Sequence, residues 1–170
     1  MELKNIRVFV CVPGVGKTYL QKMDSRFVDM DAKRALYKYG ETDDSGLEKS
    51  KGNRGATINK DYNEYMLKEF RRYLSETDKI LLFAPNPQMV QMIIDENVPY
   101  CLVYHSLDCV EEYKQRMRNR GNLENFIESM LGYEIIKKFH EENVSDTRPA
   151  FKIELKPNEY LSDVILDIFK

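Results

Sequence analysis

"VCVPGVGKTYL", residues 10–20, follows directly on the apolar run "IRVFV" and leads into an amphipathic stretch. Residues 6–12, "IRVFVCV", show little polar alternation, as expected of a strand buried on both faces. From Lys17 to about Met23 the pattern predicts a helix. Between them the spacing follows G-x-x-x-x-G-K-[ST], except that Cys11 stands at the first glycine position. Pro13, Gly14, Val15 and Gly16 are expected to form a turn whose backbone N–H groups face phosphate oxygens, backed by the positive end of the following helix. Lys17 is placed to reach β- and γ-phosphates, and the Thr18 hydroxyl to bind Mg²⁺. A small side chain at residue 11 is tolerable because Gly14 and Gly16, the glycines nearest the phosphates, are present. The bland alternative, a chance Gly-Lys-Thr turn, is opposed by the strand before it and the helix after it.

Working outward, four further apolar runs predict strands: "RFVDMD" (26–31), "KILLFA" (79–84), "YCLVYH" (100–105) and "FKIEL" (151–155). Helices are predicted over 61–75, 87–96, 108–120, 123–141 and 158–169. In the first, Tyr62, Tyr65, Met66, Phe70 and Leu74 share a face; Asp108 and Asn122 are N-cap candidates, and Gly121 separates two helices. Strands alternating with helices imply an α/β domain with a five-stranded, mostly parallel sheet flanked by helices. The polar interval 40–61 is long for a compact domain, and such intervals usually bind something or stay disordered.

Bulk properties bound the rest. A chain of 170 residues, 42% apolar and 32% charged, suits one globular domain. A net charge of -2 supplies no general drive toward nucleic acid or anionic membrane. No apolar run approaches the roughly 20 residues of a membrane span, and the charged start "MELKNIRVFV" argues against an export signal. Cys11, Cys101 and Cys109 fit no metal spacing, so a reducing cytoplasm is the expected setting.

"VPGVGKT" resembles the phosphate loop of small P-loop kinases, namely the nucleoside monophosphate kinase group with its shikimate and gluconate kinase relatives. "FVDMD", "LVYH", "RNRG" and "YLSDVI", in that order, are also similar to elements of small nucleotide-kinase-like proteins encoded by bacteriophages. The resemblance covers most of the chain. It implies a three-layer P-loop NTPase fold as a single domain over 1–170, with an acceptor-covering insertion at 40–75 and a lid-like segment at 113–125. It further implies ATP and Mg²⁺ as cofactors and a small acceptor.

Asp29 and Asp31 end the second strand two residues apart. One carboxylate is a candidate for holding a Mg²⁺-bound water and the other for orienting or deprotonating an acceptor hydroxyl, as a D-x-D pair does in the similar kinases. Alternatively Asp29 is solvated and Asp31 caps the helix "AKRALYKY". The third strand ends in Ala-Pro-Asn where a Walker B strand carries Asp, which argues against a motor-type ATPase; Asn86 either faces the acceptor or caps a loop. In "YKQRMRNRG" (113–121), Arg116 and Arg120 share a helix face. The resemblance makes them lid arginines over the transferred phosphoryl group, whereas a solvated face with Glu112 pairing Arg116 is the plain reading. Arg54, between Gly52 and Gly55, is a candidate clamp for an acceptor phosphate; Arg34, Lys51, Arg71 and Arg72 compete with it. Tyr37, Tyr39, Tyr62 and Tyr65 are base-stacking candidates or packing. For His105 and His140 solvated or structural roles are expected.

The expected activity is phosphoryl transfer to a nucleoside or deoxynucleoside monophosphate. The alternatives are transfer to a polynucleotide 5′ end or another small hydroxyl compound, or a non-catalytic nucleotide-binding regulatory module. The acidic balance disfavours a nucleic-acid partner. Base and sugar preference and oligomeric state are not encoded in any recognisable pattern.

Overall fold

The computed structural model describes residues 1–30 and 61–169 in full, together with the backbone of 37–38 and 57–58. Asp31, Arg34, Lys51, Arg54, Tyr39 and the Tyr37 side chain lie outside the described residues. The strands in chain order are β1 (Val8–Cys11), β2 (Phe27–Asp29), β3 (Tyr37–Lys38), β4 (Thr57–Ile58), β5 (Ile80–Phe83), β6 (Cys101–His105) and β7 (Phe151–Leu155). The described α-helices are α1 (Lys17–Met23), α2 (Tyr62–Ser75), α3 (Pro87–Asp95), α4 (Val110–Asn119), α5 (Glu124–Leu131), α6 (Tyr133–Ser145) and α7 (Leu161–Ile165).

The chain divides into two compact units. One comprises Met1–Asp29 with Ile80–Lys170, the other Met30–Lys79. The first is an α/β unit built on a five-stranded, all-parallel sheet of order β2-β5-β1-β6-β7. All four residues of β1 and of β5 are buried, as the unbroken apolar runs predict for central strands covered on both faces. The edge strands β2 and β7 are only partly buried and carry polar residues accordingly. On one face Phe9 and Cys11 of β1 pack with Leu20 of α1, Leu161 and Ile165 of α7, and Leu82 and Val103 of the flanking strands. Phe169 closes this layer with edge-on ring contacts to Phe9 and Phe27. A satellite core joins α4 and α5 through Tyr113, Met117, Ile127 and Leu131. Each such side chain contributes roughly 1.5–3 kcal/mol when fully buried.

The five strands of the parallel sheet fall within the predicted runs, whereas β3 and β4 lie where no strand is expected, β3 within the stretch "AKRALYKY" read as a helix. The helices depart from expectation in four places. The single helix expected over 123–141 is two, α5 and α6, broken at Gly132. A Cβ there would stand 2.9 Å from the Glu128 carbonyl oxygen, so the chain turns where only glycine fits. The terminal helix expected over 158–169 is reduced to α7. Asn158 adopts a positive φ and delays its start, and the Tyr160 N–H donates to the Asp163 carboxylate at 2.8 Å. Asp108 does not cap α4, because a 3₁₀ turn, Leu107–Cys109, precedes that helix. Asn122 does not cap α5; its amide donates to the Met117 carbonyl at 3.0 Å and closes the end of α4 instead. Among the described residues no helix is long and apolar enough to cross a membrane.

In the second unit, β3 and β4 pair antiparallel. α2 buries Tyr62, Met66 and Phe70, which lie one turn apart. Tyr65, expected on that face, is half exposed.

Candidate functional site

β1 and β6 are neighbours whose outgoing chains lead to opposite edges of the sheet, β1 toward β2 and β6 toward β7. In an open parallel sheet this reversal opens a crevice at the carboxyl ends of the two strands. Residues 12–16 leave β1 at that point.

Cys11 is the last residue of β1, paired with Val103, and the Val12 N–H still donates to the Val103 carbonyl at 3.1 Å. The turn therefore begins one residue later than the motif spacing implies. No glycine is needed at residue 11, because the chain is still extended there. Burial pushes the Cys11 thiol up to about 12, helped slightly by Asp29 and opposed by Lys17. Gly14 and Gly16 have φ of +87° and +100°, a region costly for any residue with a Cβ. A Cβ on Gly14 would also lie 2.9 Å from Cε1 of Tyr113, and one on Gly16 would lie 3.7 Å from the Tyr160 ring. The loop is pinned from the far end of the chain: the Leu161 N–H donates to the Val15 carbonyl at 3.0 Å.

Lys17, the first residue of α1, turns back along the loop. Its Nζ donates to the carbonyls of Cys11 at 3.1 Å and Val12 at 3.4 Å. Thr18 Oγ1 donates to Asp29 Oδ2 at 2.8 Å, and the Asp29 N–H donates to Gln21 Oε1 at 2.7 Å. β2 thus delivers its terminal carboxylate to the start of α1. Two hard oxygens side by side suit Mg²⁺, which takes few protein ligands and keeps waters. Among the described residues no group of three or more His, Cys, Asp or Glu is arranged to share a metal ion.

The opposite wall comes from β6, α4 and the turn before α7. Arg116 is largely buried, with Nη2 donating to Glu112 Oε1 and, at 3.2 Å, to the Glu159 carbonyl. Its guanidinium lies 3.8 Å above the Tyr160 ring and 5.4 Å from that of Tyr113. The Asn158 N–H, and then Arg116, hold the Glu112 carboxyl below the usual carboxylate range. The solvated-face reading of Arg116 is therefore corrected, although its pairing with Glu112 is present. Arg120 is exposed at the end of α4. Arg118 points away and pairs with Glu124 at 2.6 Å.

His105 ends β6 at the mouth of the crevice, its ring against that of Tyr113. Burial, then the positive charges of Arg116 and Lys17, push its imidazole down to about 2. It is neutral at any working pH. The Nε2 of His105, the Tyr113 hydroxyl, and Nε and Nη1 of Arg116 are all buried and make no hydrogen bond among the described residues. Each such orphan costs about 1–3 kcal/mol.

The structure thus brings Pro13, Gly14, Val15, Gly16, Lys17, Thr18, Asp29 and Arg116 to one end of the sheet. Asn86 caps α3, its Oδ1 accepting from the Gln88 N–H, which corrects an acceptor-facing role. Arg72 is engaged with Glu69 and Glu76. His140 has the structural role expected, bonded to Glu154 at 2.8 Å beside the Tyr104 ring. His105, Tyr113 and Tyr160 are the site residues that sequence reading passed over. The available signal was a histidine closing an otherwise apolar strand.

No protein-family model matches the chain, and no curated protein matches it. Among solved structures, an uncharacterized protein from Eubacterium ventriosum ATCC 27560 is similar over 97% of this chain and 98% of its own, at 12% identity and a TM-score of 0.49.

Proposed function

We propose that the chain is an ATP- and Mg²⁺-dependent phosphotransferase of the P-loop type, acting on a small acceptor, most simply a nucleoside or deoxynucleoside monophosphate. One observation carries the reading. A turn with two left-handed glycines sits at the crevice end of the central strand, with Lys17 along it and the Thr18–Asp29 pair beside it. A polyphosphate oxygen needs donors at close range, and glycine lets the backbone approach it. In this reading the amides of residues 14–18 and Lys17 hold the donor phosphates. Thr18 and Asp29 hold Mg²⁺, which when bound neutralises charge on the phosphate oxygens. Arg116 and Arg120 contribute cations on the lid side. Asp31, Arg34 and Arg54 are assigned to the acceptor on sequence grounds alone.

A second reading, a nucleotide-binding module without transfer, is favoured by the exit from β5, where Ala84-Pro85-Asn86 follows the strand, no carboxylate stands at its end, and the asparagine is committed to capping α3. Turnover separates the two. The protein is incubated with ATP–Mg²⁺ and a panel of nucleoside and deoxynucleoside monophosphates, and ADP and phosphorylated acceptor are measured. Transfer to at least one monophosphate is expected. ATP binding with no product from any monophosphate removes that acceptor class and favours the binding-module reading.

A further inference from the structure

Four buried polar atoms around the glycine loop lack hydrogen bonds among the described residues, and three residues carry them. Arg116 Nε and Nη1 are obligate donors, the Tyr113 hydroxyl is a donor, and a neutral imidazole donates from Nε2 in one of its two tautomers. Their placement is not scattered. Tyr113 is 4% exposed and its ring approaches Gly14; His105 leans on that ring; Arg116 stacks on Tyr160, which faces Gly16. The nearby acid, Glu112, is already bonded to Arg116 and to the Asn158 N–H. The residues packed against the loop therefore hold buried donors in excess of acceptors. Buried donors are normally satisfied, by protein or by water; beside a glycine loop with backbone amides, an oxygen-rich anion is the acceptor that meets several of them at once and most strongly.

We propose that Tyr113 and His105 are binding residues for a polyphosphate chain, the Tyr113 hydroxyl and the His105 Nε2–H donating to its non-bridging oxygens beside the loop amides. This rests on the phosphate-loop reading above. It adds two neutral donors beside the charged Lys17, Asp29 and Arg116. Burial beside Arg116 and Lys17 keeps the imidazole uncharged, so it contributes direction rather than charge. The Tyr113 ring also explains why residue 14 has to be glycine beyond its φ, since any side chain there would displace the ring.

The test is calorimetric titration of the full chain with inorganic tripolyphosphate, alongside melting of the ligand-free protein. Tyr113→Phe keeps the ring and removes only a hydroxyl that makes no hydrogen bond among the described residues. It should weaken tripolyphosphate binding by about tenfold or more while leaving the ligand-free melting temperature unchanged or higher. His105→Leu should weaken binding similarly, and His105→Gln, whose amide donates from near the Nε2 position, should recover most of it. Wild-type affinity in Tyr113→Phe and His105→Leu, with binding abolished in Lys17→Ala, overturns the proposal and leaves the phosphate loop standing. A Tyr113→Phe protein whose ligand-free melting temperature falls along with its affinity also overturns it, because the residue is then packing. A wild-type protein that binds no tripolyphosphate overturns both readings.

Discussion

Lowering the pH should destabilise the protein through His105 before the carboxylates titrate. The unfolded imidazole has its ordinary value of 6.5, whereas in the fold burial and the charges of Arg116 and Lys17 depress it to about 2. Between these values the unfolded chain binds a proton that the folded chain does not, so stability rises with pH. The contribution is fully present above 6.5 and is lost as pH falls toward 2. At about pH 5.5 the unfolded histidine is roughly nine-tenths protonated and the folded one essentially not at all. The loss relative to about pH 7.5 is then about 1.4 kcal/mol, one pH unit's worth of linkage. The assay is urea denaturation at both pH values, for wild type and for His105→Gln, which cannot titrate. The wild-type unfolding free energy should fall by about 1.4 kcal/mol more than that of the variant. An equal fall in both would show that His105 carries a proton in the folded state, and would refute the buried, cation-flanked placement.

Other expectations follow from the same geometry. Cys11 should resist thiol reagents in the folded protein and react only on unfolding, since its thiol is buried and held protonated; Cys11→Gly should retain nucleotide binding. Rapid labelling of the native protein at Cys11 would contradict this. Gly14→Ala should cost about 1–2 kcal/mol for the left-handed φ alone, plus displacement of the Tyr113 ring, read as a lower denaturation midpoint with loss of ATP binding. Arg120→Ala should lower kcat by about 10²-fold or more while changing ATP binding less, if the guanidinium acts on the transition state; an unchanged kcat removes Arg120 from the lid.

The sheet was legible because each strand's burial is written locally. β1, β5 and β6 are apolar almost without interruption, and their neighbours alternate with helical periods. The glycine loop was legible because its residues are contiguous. Even so, the spacing misplaced the start of the turn, since Cys11 remains in the ladder with Val103 and only the pairing reveals it. The opposite wall was not legible. His105, Tyr113 and Tyr160 are separated by 8 and 47 residues. Nothing in their local sequence says that the order of the strands returns all three to the end of β1. Arg116 read equally well as a solvated face, because an i,i+4 partner, Glu112, is visible in the sequence while the stacking on Tyr160 is not. The break at Gly132 was missed for a related reason. The apolar period runs through it, and only the approach to the Glu128 carbonyl forbids a side chain.

Titration of the wild-type chain and Lys17→Ala with Mg²⁺–ATP, followed by calorimetry, addresses the phosphate-loop reading most directly. Among the described residues Lys17 Nζ donates to the carbonyls of Cys11 and Val12, which the β1 backbone holds in place without it, so the variant should fold as the wild type does. The wild type should bind at a single site and the variant at least about tenfold more weakly, since a charge-assisted contact to phosphate is lost. A folded wild type that does not bind, or a folded Lys17→Ala protein that binds equally well, would contradict the reading.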